Sequence, residues 1–102
     1  MRRVIIALLM LANVSAYTAS VDECGKADGI TASGVMAVEG VTVAADHLPL
    51  GTVVRIDGWD YVVQDRLGGD YSDRLDIYME DAEAAWSFGR RMMIVEVAND
   101  NI

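Results

Sequence analysis

Residues 52–66, TVVRIDGWDYVVQDR, decide the fold class of this chain. Two short runs rich in β-branched and aromatic residues flank Asp57-Gly58, and both turn residues tolerate the positive φ angles of a two-residue hairpin loop. The stretch therefore predicts a β-hairpin with strands at 52–57 and 60–66. Pro49 is the only proline and lies just before the first strand, where its fixed φ and missing N–H suit a turn.

Short apolar runs broken by Gly and Asp continue on both sides of this hairpin. They predict four further strands, at 17–21, 41–45, 74–78 and 91–98. Six strands with no repeat and no low-complexity linker predict an all-β barrel or sandwich. The predicted core residues are Leu75, Ile77, Val62, Val95 and Val97.

Residues 80–88, EDAEAAWSF, depart from the strand pattern. Acidic residues open the segment, alanines fill it, and Gly89, Arg90 and Arg91 follow it, which matches a short helix whose dipole is complemented at both ends. The segment predicts one short α-helix. Trp86, within its alanine-rich part, is expected to lie in the core.

Composition excludes several classes of protein. With 102 residues, 53% hydrophobic and 24% charged, the chain is one small globular domain and not a disordered tail. A net charge of -8 excludes nucleic acid as an expected partner. The single cysteine, Cys24, excludes an internal disulfide and a multi-cysteine zinc site, and no metal or cofactor is expected. The oligomeric state stays open.

The N-terminus has the layout of a signal peptide. Arg2 and Arg3 precede the apolar run 4–12, VIIALLMLA, and Val14 and Ala16 occupy the −3 and −1 places of a cleavage site before Tyr17. We therefore expect a signal peptide at 1–16, a mature domain at 17–102, and a periplasmic or extracellular location. Nine apolar residues are too few to span a bilayer, so no stable membrane anchor is expected. A buried N-terminal helix or a retained anchor is the alternative.

Three aspartates lie inside or at the edge of apolar strands: Asp46, Asp65 and Asp76. In the strand 74–78, RLDIY, period-two alternation places Arg74, Asp76 and Tyr78 on one face and the two aliphatic residues on the other. This face suits sugar binding and acid/base chemistry. This pattern alone favours the alternative, an ordinary polar face whose Arg–Asp pair contributes at most about 1 kcal/mol.

Seven short blocks occur in a familiar order. They are YTA at 17–19, TASG at 31–34, VAAD at 43–46, LPLGT at 48–52, QDR at 64–66 with Gly68-Gly69, RLDIY at 74–78 and FGR at 88–90. Through them the chain resembles the three-aspartate (3D) domain family from Tyr17 to about Val97. The resemblance implies a six-stranded double-psi β-barrel related to the catalytic barrel of membrane-bound lytic transglycosylase A. It also implies cleavage of the β-1,4 bond between N-acetylmuramic acid and N-acetylglucosamine in peptidoglycan glycan strands, leaving a 1,6-anhydro end.

The resemblance also implies roles for particular residues. Asp76 matches the principal acid, and Asp65 matches the aspartate beside it in the same cleft. Asp46 matches the third aspartate, on the substrate-binding side. From its own surroundings, Asp46 is more simply a structural residue that fixes the loop before Pro49, because Asp beside a turn commonly binds backbone N–H groups.

The remaining residues that we expect to contact substrate lie on two other segments and beside Asp76. They are Thr31, Ser33 and Gly34 in the block 31–34, Tyr71 in the loop after the second aspartate, and Arg74 and Tyr78. His47 and Cys24 are expected to take no part, because a lone histidine is commonly a surface residue and neighbouring acids make a thiol less reactive.

A single carboxyl group suffices for the implied reaction. An ordinary Asp, with a pKa of about 3.9, is protonated in roughly one molecule per thousand at pH 7, so a general acid of this kind needs burial or a like charge beside it. No nucleophile and no metal are required. The loop 67–73, LGGDYSD, has two carboxylates and lacks the lysine found in enzyme-like members. A non-catalytic wall-binding or virion-associated module is therefore the alternative function.

Overall fold

The hairpin at the centre of the sequence forms as predicted. The computed structural model describes residues 6–19 and 29–99. In it, strand β3 (Val53–Ile56) and strand β4 (Trp59–Asp65) pair antiparallel. Asp57 and Gly58 join them with φ angles of 51° and 83°. Both angles are positive, as the two-residue loop requires.

Six strands close into a barrel in the order β1-β5-β2-β4-β3-β6. The remaining elements are β1 (Ile6–Tyr17), β2 (Thr42–Ala44), β5 (Arg74–Tyr78), helix α1 (Ala82–Phe88) and β6 (Arg91–Asn99). The pairs β1–β5 and β2–β4 are parallel, and the other four neighbours are antiparallel. The prediction of an all-β, six-stranded barrel with one short helix is confirmed, and the sandwich alternative is wrong.

Inward-facing aliphatic residues fill the barrel. The central cluster consists of Ala12, Val14, Val43, Ala45, Val54, Ile56, Val63, Leu75, Ile77 and Val95. Four of the five predicted core residues are buried, but Val62 is only half-buried. Its neighbour Val63 is fully buried instead. Side chains alternate between the two faces of a strand, and in this part of β4 it is Val63 that points into the barrel.

The first strand lies earlier in the chain than the sequence pattern indicates. We expected a strand at 17–21, whereas β1 covers Ile6–Tyr17 and ends there; Ser20 and Val21 lie outside the described residues. The apolar run that resembles a signal peptide thus continues into a barrel strand. Ala12 and Val14 are fully buried between β5 and β6.

Helix α1 connects β5 to β6 and is shorter than predicted. The side chain of Asp81 accepts a hydrogen bond from the Glu83 backbone N–H and caps the N-terminus, which leaves Glu80 outside the helix. Only Ala85 is buried within it, and Trp86 is 86% exposed. The expectation of a core Trp86 is wrong, because Trp86 follows the buried Ala85 and successive side chains of a helix point about 100° apart.

In the described part of the chain, no helix is long and apolar enough to cross a membrane.

Candidate functional site

Four adjacent strands place Ser15, Asp76, Ala44 and Asp65 in one row. Ser15 pairs with Asp76 across β1 and β5, and Ala44 pairs with Asp76 on one side and with Asp65 on the other. Neighbouring strands lie about 4.8 Å apart, so the Cα atoms of the two aspartates are separated by roughly 10 Å. The small side chain of Ala44 leaves the space between the carboxylates open.

A β-bulge brings Asp65 into this row. Val43 pairs with Val63, but the next residue, Ala44, pairs with Asp65, so Gln64 is passed over. Strict alternation after the buried Val63 would direct Asp65 into the barrel core. The extra residue turns Asp65 to the outer face, where Asp76 lies. The bulge is stabilised by a 2.6 Å hydrogen bond from the Thr42 hydroxyl to Gln64 Oε1.

Both carboxylates line one cavity of about 420 Å³ on the outer face of the barrel. Five of the nine predicted site residues line it: Asp65, Asp76, Arg74, Tyr71 and Tyr78. The other lining residues used below are Tyr17, Ala32, Ala44, Arg66 and Leu67. Two arginines offset the two carboxylates, so the acidity of the whole chain is not concentrated here.

Asp65 has both carboxylate oxygens occupied. Its Oδ2 accepts a hydrogen bond from the Tyr17 hydroxyl at 2.9 Å. Its Oδ1 accepts from the backbone N–H groups of Ala32 and Arg66, each at 2.9 Å. Asp65 therefore ties β1, the turn after residue 30 and the end of β4 together at one wall of the cavity.

Asp76 is held on one side only. Its Oδ1 accepts a hydrogen bond from the Ser15 hydroxyl at 2.5 Å. Its Oδ2 accepts no hydrogen bond from the residues that the structure describes. Asp76 is half-buried and lines the cavity, so this second oxygen is available to a ligand.

Asp46 does not line the cavity but organises one of its walls. Its two oxygens accept four backbone N–H groups, from Leu67, Gly68, Gly69 and Tyr71, at 2.8 to 3.1 Å. Desolvation raises the pKa of Asp46, but these four bonds outweigh it and lower the pKa from 3.8 to about 2. The structural role expected for Asp46 is present, although its loop is 67–71 and not the loop before Pro49.

The segment before Pro49 is instead held by Arg66. Its Nη1 donates to the backbone carbonyl oxygens of Ala45, at 2.8 Å, and Leu48. Arg66 also lines the cavity. One guanidinium thus links the end of β2 to the site.

The block 31–34 supports the cavity from behind, and its predicted members do not line it. Thr31 is buried, and its hydroxyl donates to the Val35 carbonyl oxygen at 2.8 Å. The Ser33 N–H donates to the Gln64 carbonyl oxygen at 3.0 Å, and Gly34 takes a φ of 93° in the same turn. The lining residue of this block is Ala32.

Two aromatic contacts complete the walls. The Arg74 guanidinium lies 4.3 Å from the centre of the Tyr71 ring, a cation–π contact. The rings of Tyr17 and Tyr78 meet edge to face, with centres 5.5 Å apart. Arg74 makes no salt bridge with any residue that the structure describes, so its charge is available to an anionic group in the cavity.

The other candidates lie elsewhere. His47 Nε2 lies 2.8 Å from Asp70 Oδ1, and both side chains are exposed and outside the cavity lining. Cys24 lies outside the described residues. Within residues 6–19 and 29–99, no three His, Cys, Asp or Glu side chains are grouped to hold a metal ion.

Three functional positions escaped prediction: Ser15, Tyr17 as a partner of Asp65, and Ala44. The residues Asn13, Ser15 and Tyr17 alternate with Val14 and Ala16, which is the period of a half-buried strand. Val14 and Ala16 also fit a signal-peptide cleavage site, and for that reason the alternation was not interpreted as a strand.

Neither a protein-family model nor a curated protein matches this chain.

Proposed function

We propose that this protein is a peptidoglycan lytic transglycosylase of the three-aspartate type that acts outside the cytoplasm. The observation that carries the proposal is the pair Asp65 and Asp76 in one cavity, with Asp65 fully hydrogen-bonded and Asp76 holding one oxygen open. A reaction with a single acid/base group needs one available carboxyl and a fixed neighbour. This cavity offers both.

The reaction begins with proton transfer from the open oxygen of Asp76 to the glycosidic oxygen. The bond between that oxygen and C1 of N-acetylmuramic acid then breaks, and N-acetylglucosamine leaves with a new 4-hydroxyl group. The C6 hydroxyl of the same muramic acid attacks C1 and gives its proton to the Asp76 carboxylate. The product is the 1,6-anhydro sugar, water is not consumed, and Asp76 regains its proton.

Asp65 holds the wall of the cavity in place and contributes to the electrostatic field of the site. Its three hydrogen bonds fix a negative charge in the same cavity as Asp76, where it would stabilise the positive charge that develops at C1. The Tyr71 ring under Arg74 offers an apolar face for a sugar, and Arg74 offers a cation for the carboxylates of the peptide stem.

The test is mass spectrometry of purified peptidoglycan after incubation with the full chain. We expect muropeptides with anhydro ends, and we expect Asp76→Asn to abolish them while circular dichroism shows the fold unchanged. Asp73→Asn is the matched control, because Asp73 is exposed and does not line the cavity. Absence of anhydro products from the unmutated chain between about pH 4.5 and 8 would refute the proposed transglycosylase activity.

A non-catalytic module that binds the cell wall is the second candidate. The observation that favours it is the loop 67–71, whose carboxylate at Asp70 is exposed and which has no lysine to bind the sugar. In this case the unmutated chain would sediment with insoluble peptidoglycan and release nothing, and Asp76→Asn would sediment equally well.

A further inference from the structure

An apolar stripe covers the outer face of β1 and β6. Its members are four outward-facing apolar residues, Leu9 and Leu11 on β1 and Met92 and Ile94 on β6. They are 68%, 61%, 58% and 68% exposed, respectively. Leu11 pairs directly with Ile94, so the four side chains form one continuous surface, which we call the β1–β6 stripe.

The stripe comes from two segments far apart in the chain. On each strand the inward residues, such as Ala12 and Val95, are already buried in the barrel, so the outward residues are not needed for the core. Outward positions on a solvent-facing strand are commonly polar. Contiguous exposed apolar side chains on both strands indicate a surface that is covered by another molecule.

Opposite charges lie at the two ends of the stripe. Arg90, which is exposed, lies two residues before Met92 at one end. Glu96 lies at the other end, paired with Leu9 and 3.9 Å from Arg55, which also binds Asp60. Two carboxylates around one arginine leave this end negative. Arg90 forms no salt bridge with a residue that the structure describes. The neighbouring Arg91 guanidinium contacts the carbonyl oxygen and the ring of Phe88 and is not part of the stripe.

We propose that the β1–β6 stripe is the interface of a symmetric dimer of this chain. A two-fold axis that lies in the interface plane, perpendicular to the strands and close to the Ala12–Met93 pair, would place the apolar centres of two copies face to face. The same rotation sets the arginine end of one copy over the Glu96 end of the other. A surface with an apolar centre and opposite charges equidistant from it is complementary to itself, as a two-fold interface requires.

Strand pairing leaves two ways in which the copies could meet. Among the described residues, Leu9 and Leu11 pair only with β6, and Met92 and Ile94 pair only with β1, so these parts of the strands have an open edge as well as an outward face. We place the contact between the two sheet faces, because the apolar and charged side chains of the stripe lie there. The face lies apart from the cavity lining, so the proposal is independent of the proposed reaction.

Sedimentation equilibrium of the full chain tests the proposal. We expect a species of twice the 11.1 kDa chain mass at a protein concentration of about 100 µM. Ile94→Asp should weaken association at least tenfold, because it would bury a carboxylate at the centre of the interface. Trp59→Asp is the matched control, since Trp59 is equally exposed, at 68%, and lies at the β3–β4 turn.

Charge reversal distinguishes this two-fold arrangement from other contacts. Arg90→Glu alone and Glu96→Arg alone should each dimerise more weakly than the unmutated chain, because each variant sets like charges against each other. An equal mixture of the two variants should dimerise again, since each then meets the opposite charge. A monomer at all concentrations, or a dimer unaffected by Ile94→Asp, would overturn the proposal, as would a mixture no stronger than its components.

Discussion

The hydrogen bonds of Asp46 stabilise its ionised form in the folded protein. Four backbone N–H groups surround its carboxylate, and two of them, from Gly69 and Tyr71, bind Oδ2. An asparagine at this position would place an amide N–H₂ group against two of these N–H donors. Because that group cannot accept hydrogen bonds, two of the four bonds would be lost. Since Leu67 and Tyr71 line the cavity, the charge on Asp46 supports a wall that it does not itself touch.

Asp46→Asn should therefore lower the free energy of unfolding by about 1–2 kcal/mol at pH 7. Because the folded pKa of Asp46, about 2, lies below its ordinary value of 3.8, the stabilisation is complete above about pH 5 and is lost as the pH falls toward 2. Urea unfolding of both proteins at several pH values measures the difference. A gap that stayed constant down to pH 2 would contradict the assignment, and Asp73→Asn should show no gap at any pH.

Ser15 provides a test of whether the proposed acid, Asp76, must be held in one orientation. Ser15→Ala removes the side-chain hydrogen bond that the Ser15 hydroxyl donates to Asp76 and frees its carboxylate to rotate. We expect the release of anhydro products to fall about tenfold with little change in thermal stability, because the loss is one of orientation. Ser15→Thr keeps the hydroxyl and should retain most of the activity. Equal losses in both variants would point to packing and not to the hydrogen bond.

At the scale of elements, local chemistry explains what could be predicted. The β3–β4 hairpin depends on Asp57-Gly58, and helix α1 depends on its capping residue and the glycine that follows it; all of these are visible in the sequence. The position of Asp65 depends on a bulge between β2 and β4, which lie about twenty residues apart in the chain. Pairing at that distance leaves no local pattern. The residues alone identify the three aspartates, and only the family resemblance indicates that Asp65 and Asp76 share a cleft.

Strand β1 gives the element-scale prediction. Cleavage before Tyr17 would remove all but one of its residues, including Ala12 and Val14 from the core and Ser15 from the site. We expect the chain 17–102 to lose cooperative thermal unfolding, whereas the full chain retains it. Removal of residues 1–16 and the folded site, which includes Ser15, therefore exclude each other, and N-terminal sequencing of the exported protein decides between them. A cooperative transition in the shortened chain would show that β1 is dispensable.

The loop 67–71 provides a second test at this scale. A Cβ added at Gly69 would collide with the ring of Tyr71. Gly69→Ala should therefore displace that ring from Arg74, weakening retention on insoluble peptidoglycan while barrel stability changes little. Gly58→Ala is the comparison, because its added Cβ meets no atom within 4 Å, although its positive φ costs some stability. Unchanged retention in Gly69→Ala would exclude Tyr71 from the binding surface.

For the whole molecule, strand order and chain order differ. Of the six described strands, β1 leaves the ribosome first, yet its two neighbours in the barrel, β5 and β6, begin at Arg74 and Arg91. Its apolar residues therefore stay without a partner until almost the entire chain has been synthesised. Barrel closure is necessarily post-translational. Throughout synthesis this segment presents a bare apolar run near the N-terminus, the form in which secretion machinery recognises a substrate.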